Sequence, residues 1–333
     1  MQQIKEFYNP ITLKAQNIKV LVTGATGYIG GRLIPRLLAN NIDVRVLVRD
    51  SSKISHKSWY DKVEIHEGDL TKIDTLSDLA KDISQAYYLI HSMSDSKEYI
   101  ELDRLAARNF VKSCPRISHV IYLGGISPDE SEISEHLQSR IEVGKILKDN
   151  LPTTELRAGP IIGSGSASFE MLRHLSEKLP VMITPKWINN TVRPISVRDV
   201  LKYLVLCLDK RPLDTMDIGT SPMTFKNLML EYCKYRGLRR YIIPVPVLAP
   251  SLAAKWISLV TPITNSLATP IIKSVINNIY GDISKSLKYF PEIQTLNYYD
   301  SIKSALEKTK MEFTETSWNR QKISFEYRLS QQK

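Results

Sequence analysis

The stretch Val20 to Gly31, Val-Leu-Val-Thr-Gly-Ala-Thr-Gly-Tyr-Ile-Gly-Gly, restricts what this chain can fold into more than any other part of it. A short β-branched apolar run ends at Gly24. Gly27 and Gly30 follow, and then Leu33, Ile34, Leu37 and Leu38 recur at a helical period. Strand, tight turn and helix in that order suit a pyrophosphate. The backbone must approach the ligand without Cβ interference, and the N–H groups of a helix N-terminus must face its negative charge. In this reading Gly24 permits the turn, Gly27 the close approach and Gly30 the packing of helix on strand, with Thr26, Tyr28 and Ile29 completing the ligand-facing turn. Spaced glycines alone carry little weight; the flanking strand and helix give the motif its meaning.

Beyond the first helix the alternation of strand and helix repeats. Val44 to Val48 reads as a second strand and ends in Arg49-Asp50. An acidic side chain at this position accepts from the ribose hydroxyls of NAD, whereas an arginine clasps the extra phosphate of NADP. Arg49 therefore argues for NADP, and NAD becomes the cofactor if Asp50 faces the ribose instead. Lys62 to His66 is expected to be a third strand, leading to Asp69, placed to accept from the adenine amino group, and Leu70, placed to pack on its ring. A helix is expected from Asp74 to Lys81, then a fourth strand from Ala86 to Ile90 that brings His91 and Ser92 beside the cofactor. His91 is read as cofactor-lining rather than catalytic, and no histidine or cysteine at ligand spacing accompanies it to suggest a metal. Glu98 to Ser113 carries Leu102, Leu105, Ala106, Phe110 and Val111 as the apolar face of a crossover helix, and His119 to Leu123 is a fifth strand ending in Gly124-Gly125. Strands alternating with helices imply a parallel sheet covered on both faces. The expected fold is α/β, a Rossmann-type doubly wound parallel sheet with a small C-terminal substrate lobe. Its expected divisions are an N-terminal arm at 1–17, the NAD(P)-binding domain at 18–165, a lobe interleaved with the last sheet strands at 166–310, and a polar tail at 311–333.

These segments together resemble an atypical, extended short-chain dehydrogenase/reductase: Thr23 to Gly30, Val44 to Arg49, Gly68-Asp69-Leu70 and the Gly124-Gly125 strand end. The resemblance continues through Glu155 to Gly163, Arg193 to Val200 and Asp217 to Gly219. It points to the NmrA-like proteins and to the NAD(P)-binding family that includes the nucleotide-binding accessory subunit of respiratory complex I. Active members orient the substrate carbonyl with a Ser or Thr after the fifth strand and transfer the proton from a Tyr. A Lys four residues later holds the ribose and lowers the Tyr pKa. By that resemblance His136 occupies the tyrosine place and Arg140 the lysine place, one helical turn apart, while Gly124 or Gly125 replaces the serine. Two readings stand open. His136 exchanges a proton near neutral pH, with Arg140 on the ribose or a phosphate and Ser127 assisting. Alternatively, the site binds its cofactor without turnover, as a sensor or as an accessory subunit of a larger complex. The one Tyr-x-x-x-Lys spacing, Tyr299 to Lys303, falls in a late amphipathic stretch and is read as a coincidence.

The second half is less specific. Thr153 to Ala158 is a sixth strand, Ser166 or Ser168 caps a helix near Phe169, Asp199 caps a helix over Val200 to Leu208, and Thr224 caps one reaching Tyr235 before Gly237. Met182, Trp187 and Arg193 are expected to line the substrate pocket. Between 245 and 279, Leu248, Leu252, Trp256, Leu259 and Val260 form one apolar face, and Leu267, Ile271, Ile272, Val275 and Ile276 another. This segment suits a lid over an apolar pocket, a protein partner or a peripheral membrane contact. The formal charge of +10 favours anionic ligands, but the basic residues are scattered among acids, so no nucleic-acid partner is expected. Cys114, Cys207 and Cys233 are far apart and sit in apolar surroundings, and no apolar h-region opens the chain, which suggests a reducing, cytoplasmic setting.

Overall fold

In the computed structural model, residues 11, 13, 14, 18–91, 97–128, 133–245, 255, 257–261 and 263–309 are described. Most of the expected N-terminal arm and the polar tail lie outside that set, as do Ser92, Leu248, Leu252 and Trp256 and the side chains of Leu267 and Val275.

The first apolar run forms β1 (Lys19–Thr23), and Gly30 opens α1 (Gly30–Ala39). The chain continues through β2 (Asp43–Val48), β3 (Glu64–Glu67), β4 (Gln85–Tyr88), α2 (Lys97–Ser113), β5 (His119–Gly125), α3 (Glu135–Asn150) and β6 (Thr153–Ala158). One seven-stranded sheet results, in the order β11-β6-β5-β4-β1-β2-β3, where β11 is Asp214–Ile218. Every pairing in it is parallel; Val22, for example, registers with Val46 on one side and Tyr87 on the other. Strands covered on both faces read as continuous apolar runs, and Val20, Leu21 and Val22 are fully buried.

Each face of the sheet has its own core. Leu33, Ile34 and Leu37 of α1 pack with Val200, Leu201 and Leu204 of α5 (Val197–Leu206) on one face. Ala106, Ala107 and Phe110 of α2 pack with Val143 and Leu147 of α3 on the other. Each such large apolar side chain contributes about 1.5–3 kcal/mol on burial. The crossover helix α2 is shifted from its expected face: Leu102 and Leu105 are about two-fifths exposed (37% and 40%), and Ala107 is buried in their place.

A third core forms the lobe, where α4 (Ala167–Lys178), α6 (Phe225–Tyr235), α7 (Asn265–Val275) and α9 (Tyr298–Thr309) converge. Another short helix, α8 (Ser284–Tyr289), lies between the last two. Short strand pairs complete the lobe: β7 (Ile161–Ile162) with β10 (Ile195–Ser196), β9 (Thr191–Val192) with β12 (Met223–Thr224), and β8 (Val181–Pro185) with β13 (Tyr241–Val245). Residues after 166 thus supply both the lobe and the sheet edge β11.

Several local expectations are corrected. Residues 74–81 form a 3-10 turn at Ile73–Leu76 followed by tight turns, with Asp78 at φ 57°. The helix near 200 is capped by Ser196, whose hydroxyl accepts from the Arg198 N–H; Asp199 instead lies buried in the first turn and accepts from the backbone of Leu296 at 2.8 Å. Ser166 and Thr224 do cap their helices, accepting from the N–H groups of Phe169 and Asn227. At the N-terminal end Leu13 joins the core and the Lys14 N–H donates to Asp209 at 2.8 Å, so this part of the arm is anchored. Within 245–279, Ile257, Ile263, Ala268 and Ile272 belong to the lobe core, while Leu259 is 83% exposed. No helix among the described residues is long and apolar enough to cross a membrane.

Candidate active site

The sheet order reverses at β1, where the chain passes first to β2 and β3 and later to β4 on the other side. Crevices for ligands form at such a switch point, outside the carboxyl ends of the strands. Gly24 leaves β1 at φ +74°, a conformation that side chains with a Cβ rarely adopt, and a Cβ there would lie 2.7 Å from the carbonyl oxygen of Leu89. A Cβ on Gly30 would lie 2.3 Å from the Gly24 oxygen, so α1 can start against the strand only at a glycine. The Gly27 N–H closes the turn on the Gly24 carbonyl at 2.8 Å. Thr23 braces the same point by donating to the Tyr87 carbonyl and accepting from the Leu89 N–H.

The turn opens into a cleft of about 750 Å³. At its near end stand Gly24, Thr26, Gly27, Tyr28, Ile29 and Gly30. Arg49 and then Asp69 and Leu70 border it at the ends of β2 and β3, and His91, His136 and Arg140 border it beyond β4 and on α3. Asp50 does not line the cleft; it accepts from the Ser52 N–H and hydroxyl and so caps the following 3-10 turn. Those bonds hold its carboxyl below the usual carboxylate range. Asp69 lies in the cleft wall with one carboxylate oxygen accepting from the backbone and hydroxyl of Thr71.

Five residues expected at the cleft lie elsewhere. Gly124 faces away from it: a Cβ on Gly124 would meet Glu155 Oε1 at 2.9 Å, and one on Gly144 the same oxygen at 2.8 Å. Both glycines make room for the buried Glu155, which pairs with Lys148 at 2.9 Å, and Gly125 lines the cleft in Gly124's place. Ser127 accepts from Arg157 Nη1 at 3.4 Å and is not among the lining residues. Met182 is buried in the lobe core, Trp187 packs against it, and Arg193 donates to the carbonyls of Tyr280 and Thr220; none of the three lines the cleft. Tyr299 is 56% exposed and stacks edge-on to Tyr235, away from the cleft, as the coincidental reading of its spacing requires.

At the far end, Ser134 caps α3 by accepting from the Leu137 N–H, which sets the first turn so that His136 and Arg140 project on one side. His136 is buried, and its ring centroid lies 6.2 Å from that of His91. Arg140 donates from Nη2 to the Leu123 carbonyl at 3.0 Å, while its own carbonyl accepts from the Tyr122 hydroxyl at 3.0 Å. His91 opens on the cleft yet is crowded by its walls. Loss of hydration, with Arg140 and His136 nearby, holds its pKa well below the ordinary histidine value. The opposite wall is apolar, with Phe225, Ile271 and Ile279 of the lobe facing Leu102 and Tyr99 of α2. Of these, Ile271 belongs to the apolar face read from the sequence as a candidate lid over a pocket, whereas Phe225 and Ile279 carried no signal in the sequence, because they reach the cleft only through lobe packing.

The fold and the cleft define a Rossmann-type α/β architecture whose ligand crevice begins at the glycine turn. Residues 20–130, from β1 to just beyond β5, match the NAD dependent epimerase/dehydratase family. No curated protein matches the chain by sequence. Among solved structures, a nucleoside-diphosphate-sugar epimerase from Staphylococcus aureus is similar, with a TM-score of 0.71 at 15% identity, over 86% of this chain and 99% of that one. The enzyme WbmG of Bordetella bronchiseptica, solved in complex with NAD, aligns with a TM-score of 0.68 at 13% identity over 92% and 98% of the two chains. A UDP-Glc/GlcNAc 4-epimerase from Campylobacter jejuni gives 0.65 at 14% identity over 87% and 98%. These likenesses establish the fold.

Proposed function

We propose that the chain binds NADP(H) along the cleft and acts as an oxidoreductase on a small, apolar carbonyl compound. The observation that carries this reading is that one cleft joins the glycine turn and Arg49 at one end to His136, Arg140 and His91 at the other. The residues present fit such a cofactor. The turn leaves backbone room for a pyrophosphate, Arg49 stands where a 2′-phosphate would be held, and Leu70 offers an adenine face. Bound there, the nicotinamide supplies or accepts the hydride. His136 gives the proton to the substrate oxygen, and Arg140, anchored on the Leu123 carbonyl, orients the ribose. The apolar lobe wall excludes water and receives the carbon skeleton. The lobe residues described in that wall, Ser166, Ala167, Ser168, Phe225, Ile271 and Ile279, carry no charge, which suits an apolar substrate better than a nucleoside diphosphate sugar.

Fluorescence titration with NADPH, followed by single-turnover oxidation of the bound cofactor across aldehydes, enones and quinones, tests the proposal. Tight binding followed by oxidation with at least one apolar carbonyl is expected; absence of binding overturns it. Tight binding without oxidation by any of them supports a second reading, a cofactor-binding sensor or accessory subunit. That reading is favoured by one observation: α3 presents a histidine and an arginine where the active enzymes it resembles place tyrosine and lysine.

A further inference from the structure

A second cavity, of about 450 Å³, lies on the far side of α1 and shares no lining residue with the cleft. Five cationic side chains from three helices converge on it: Arg32 and Arg36 of α1, Arg198 and Lys202 of α5, and Lys308 of α9. No acidic residue is among the described residues that line it; Lys202 also pairs with the buried Asp199 at 3.1 Å. Arg32 is only 2% exposed, donates to the Ser164 carbonyl at 2.8 Å and lies over the Tyr28 ring at 4.6 Å. The hydroxyls of Ser301 and Ser304 and the apolar side chains of Ile162, Leu201 and Val205 complete the walls. Like charges from separate helices raise the local potential, and guanidinium groups favour phosphate oxygens through paired N–H donors. The volume is roughly fifteen times the ~30 Å³ share of a water molecule, so there is room for carbon atoms beside a phosphoryl group.

We propose that this cavity is a binding site for a small phosphate-bearing molecule, separate from the dinucleotide cleft. Arg198 and Lys308 at the mouth capture the phosphoryl group, and the apolar wall takes the rest of the ligand. Neither the cleft nor its chemistry is needed for this.

Calorimetric titration of the full chain with inorganic pyrophosphate at low ionic strength, repeated with NADPH present at saturating concentration to occupy the cleft, tests the site. The double variant Arg198→Glu, Lys308→Glu is expected to bind at least tenfold more weakly. Lys112→Glu with Lys234→Glu, exposed positions on α2 and α6 that change the net charge equally, should stay within twofold. Arg198→Gln alone, a milder change, should weaken binding at least threefold. The proposal is overturned if the unaltered chain binds no pyrophosphate at millimolar concentration. Equal loss in the charge-matched control, showing a general field, also overturns it, as does undiminished pyrophosphate binding in the cavity variants with NADPH present.

Discussion

Arg49 and Asp50 are neighbours in sequence with opposite charge, and only their environments separate them. Asp50 is spent on Ser52 while Arg49 borders the cleft. That division was open in the sequence because both residues follow β2, and which of them turned outward depended on the 3-10 turn after it. Arg49→Glu should therefore shift the NADPH to NADH affinity ratio toward NADH by tenfold or more, read by fluorescence titration; an unchanged ratio removes the NADP preference. At the other end of the cleft, His136→Ala should lower turnover about 10²–10⁴-fold while leaving cofactor affinity nearly unchanged, as for loss of a general acid. His119 offers a stability test away from the cleft. It is buried on β5 with Nε2 2.7 Å from the Thr154 hydroxyl, and burial pushes its pKa down to about 4. The unfolded chain takes up that proton first, so the fold loses stability as pH drops from about 6.5 toward 4, by about 3 kcal/mol for this one group. Denaturation of His119→Gln at both ends of that range should show a correspondingly smaller loss on acidification.

At the scale of helices and strands, legibility followed locality. The strand from Thr153 to Ala158 and the helix between Thr224 and Gly237 carry their signals within a few residues, in β-branched runs, a capping hydroxyl and a glycine at φ +67°, and the structure has them at those bounds. Asp199 misled because a carboxylate three residues after Ser196 fits a cap equally well. Its actual partner, the Leu296 N–H, lies 97 residues away, beyond any local pattern. The 74–81 segment likewise has a helix-like composition, but it passes between β3 and β4 in tight turns with Asp78 and Asp82 at positive φ. Ser166→Ala should cost about 1 kcal/mol in chemical denaturation through loss of the Phe169 N–H partner. Gly30→Ala should cost considerably more, since the added methyl meets the Gly24 carbonyl at 2.3 Å and α1 must withdraw; dinucleotide binding should fall with it.

Over the whole molecule, the sheet could be read from its alternating runs, whereas the lobe could not, because its helices meet only through contacts between residues far apart in sequence. The cleft-bearing glycine turn stood out at once; of the apolar wall opposite it, only the face carrying Ile271 was legible, as a candidate lid, and Phe225 and Ile279 stayed hidden for the same reason. One buried carboxylate illustrates how the two parts are joined. Asp217 on β11 pairs with Arg157 at 2.6 Å and accepts the Asp282 N–H at 2.9 Å, fastening the segment before α8 to the sheet edge. Asp217→Ala should cost about 3–5 kcal/mol, because it strands a half-buried arginine and frees that segment. The separation of the two cleft walls along the chain also bears on synthesis. The wall that begins at Gly24 emerges early, but Ile271 and Ile279 of the other wall come some 250 residues later, so on a ribosome adding about 5–20 residues per second the cleft stays one-sided for tens of seconds. During that interval a nascent chain has a place for phosphates but no apolar cover, and exposes to chaperones the surface that the finished lobe conceals.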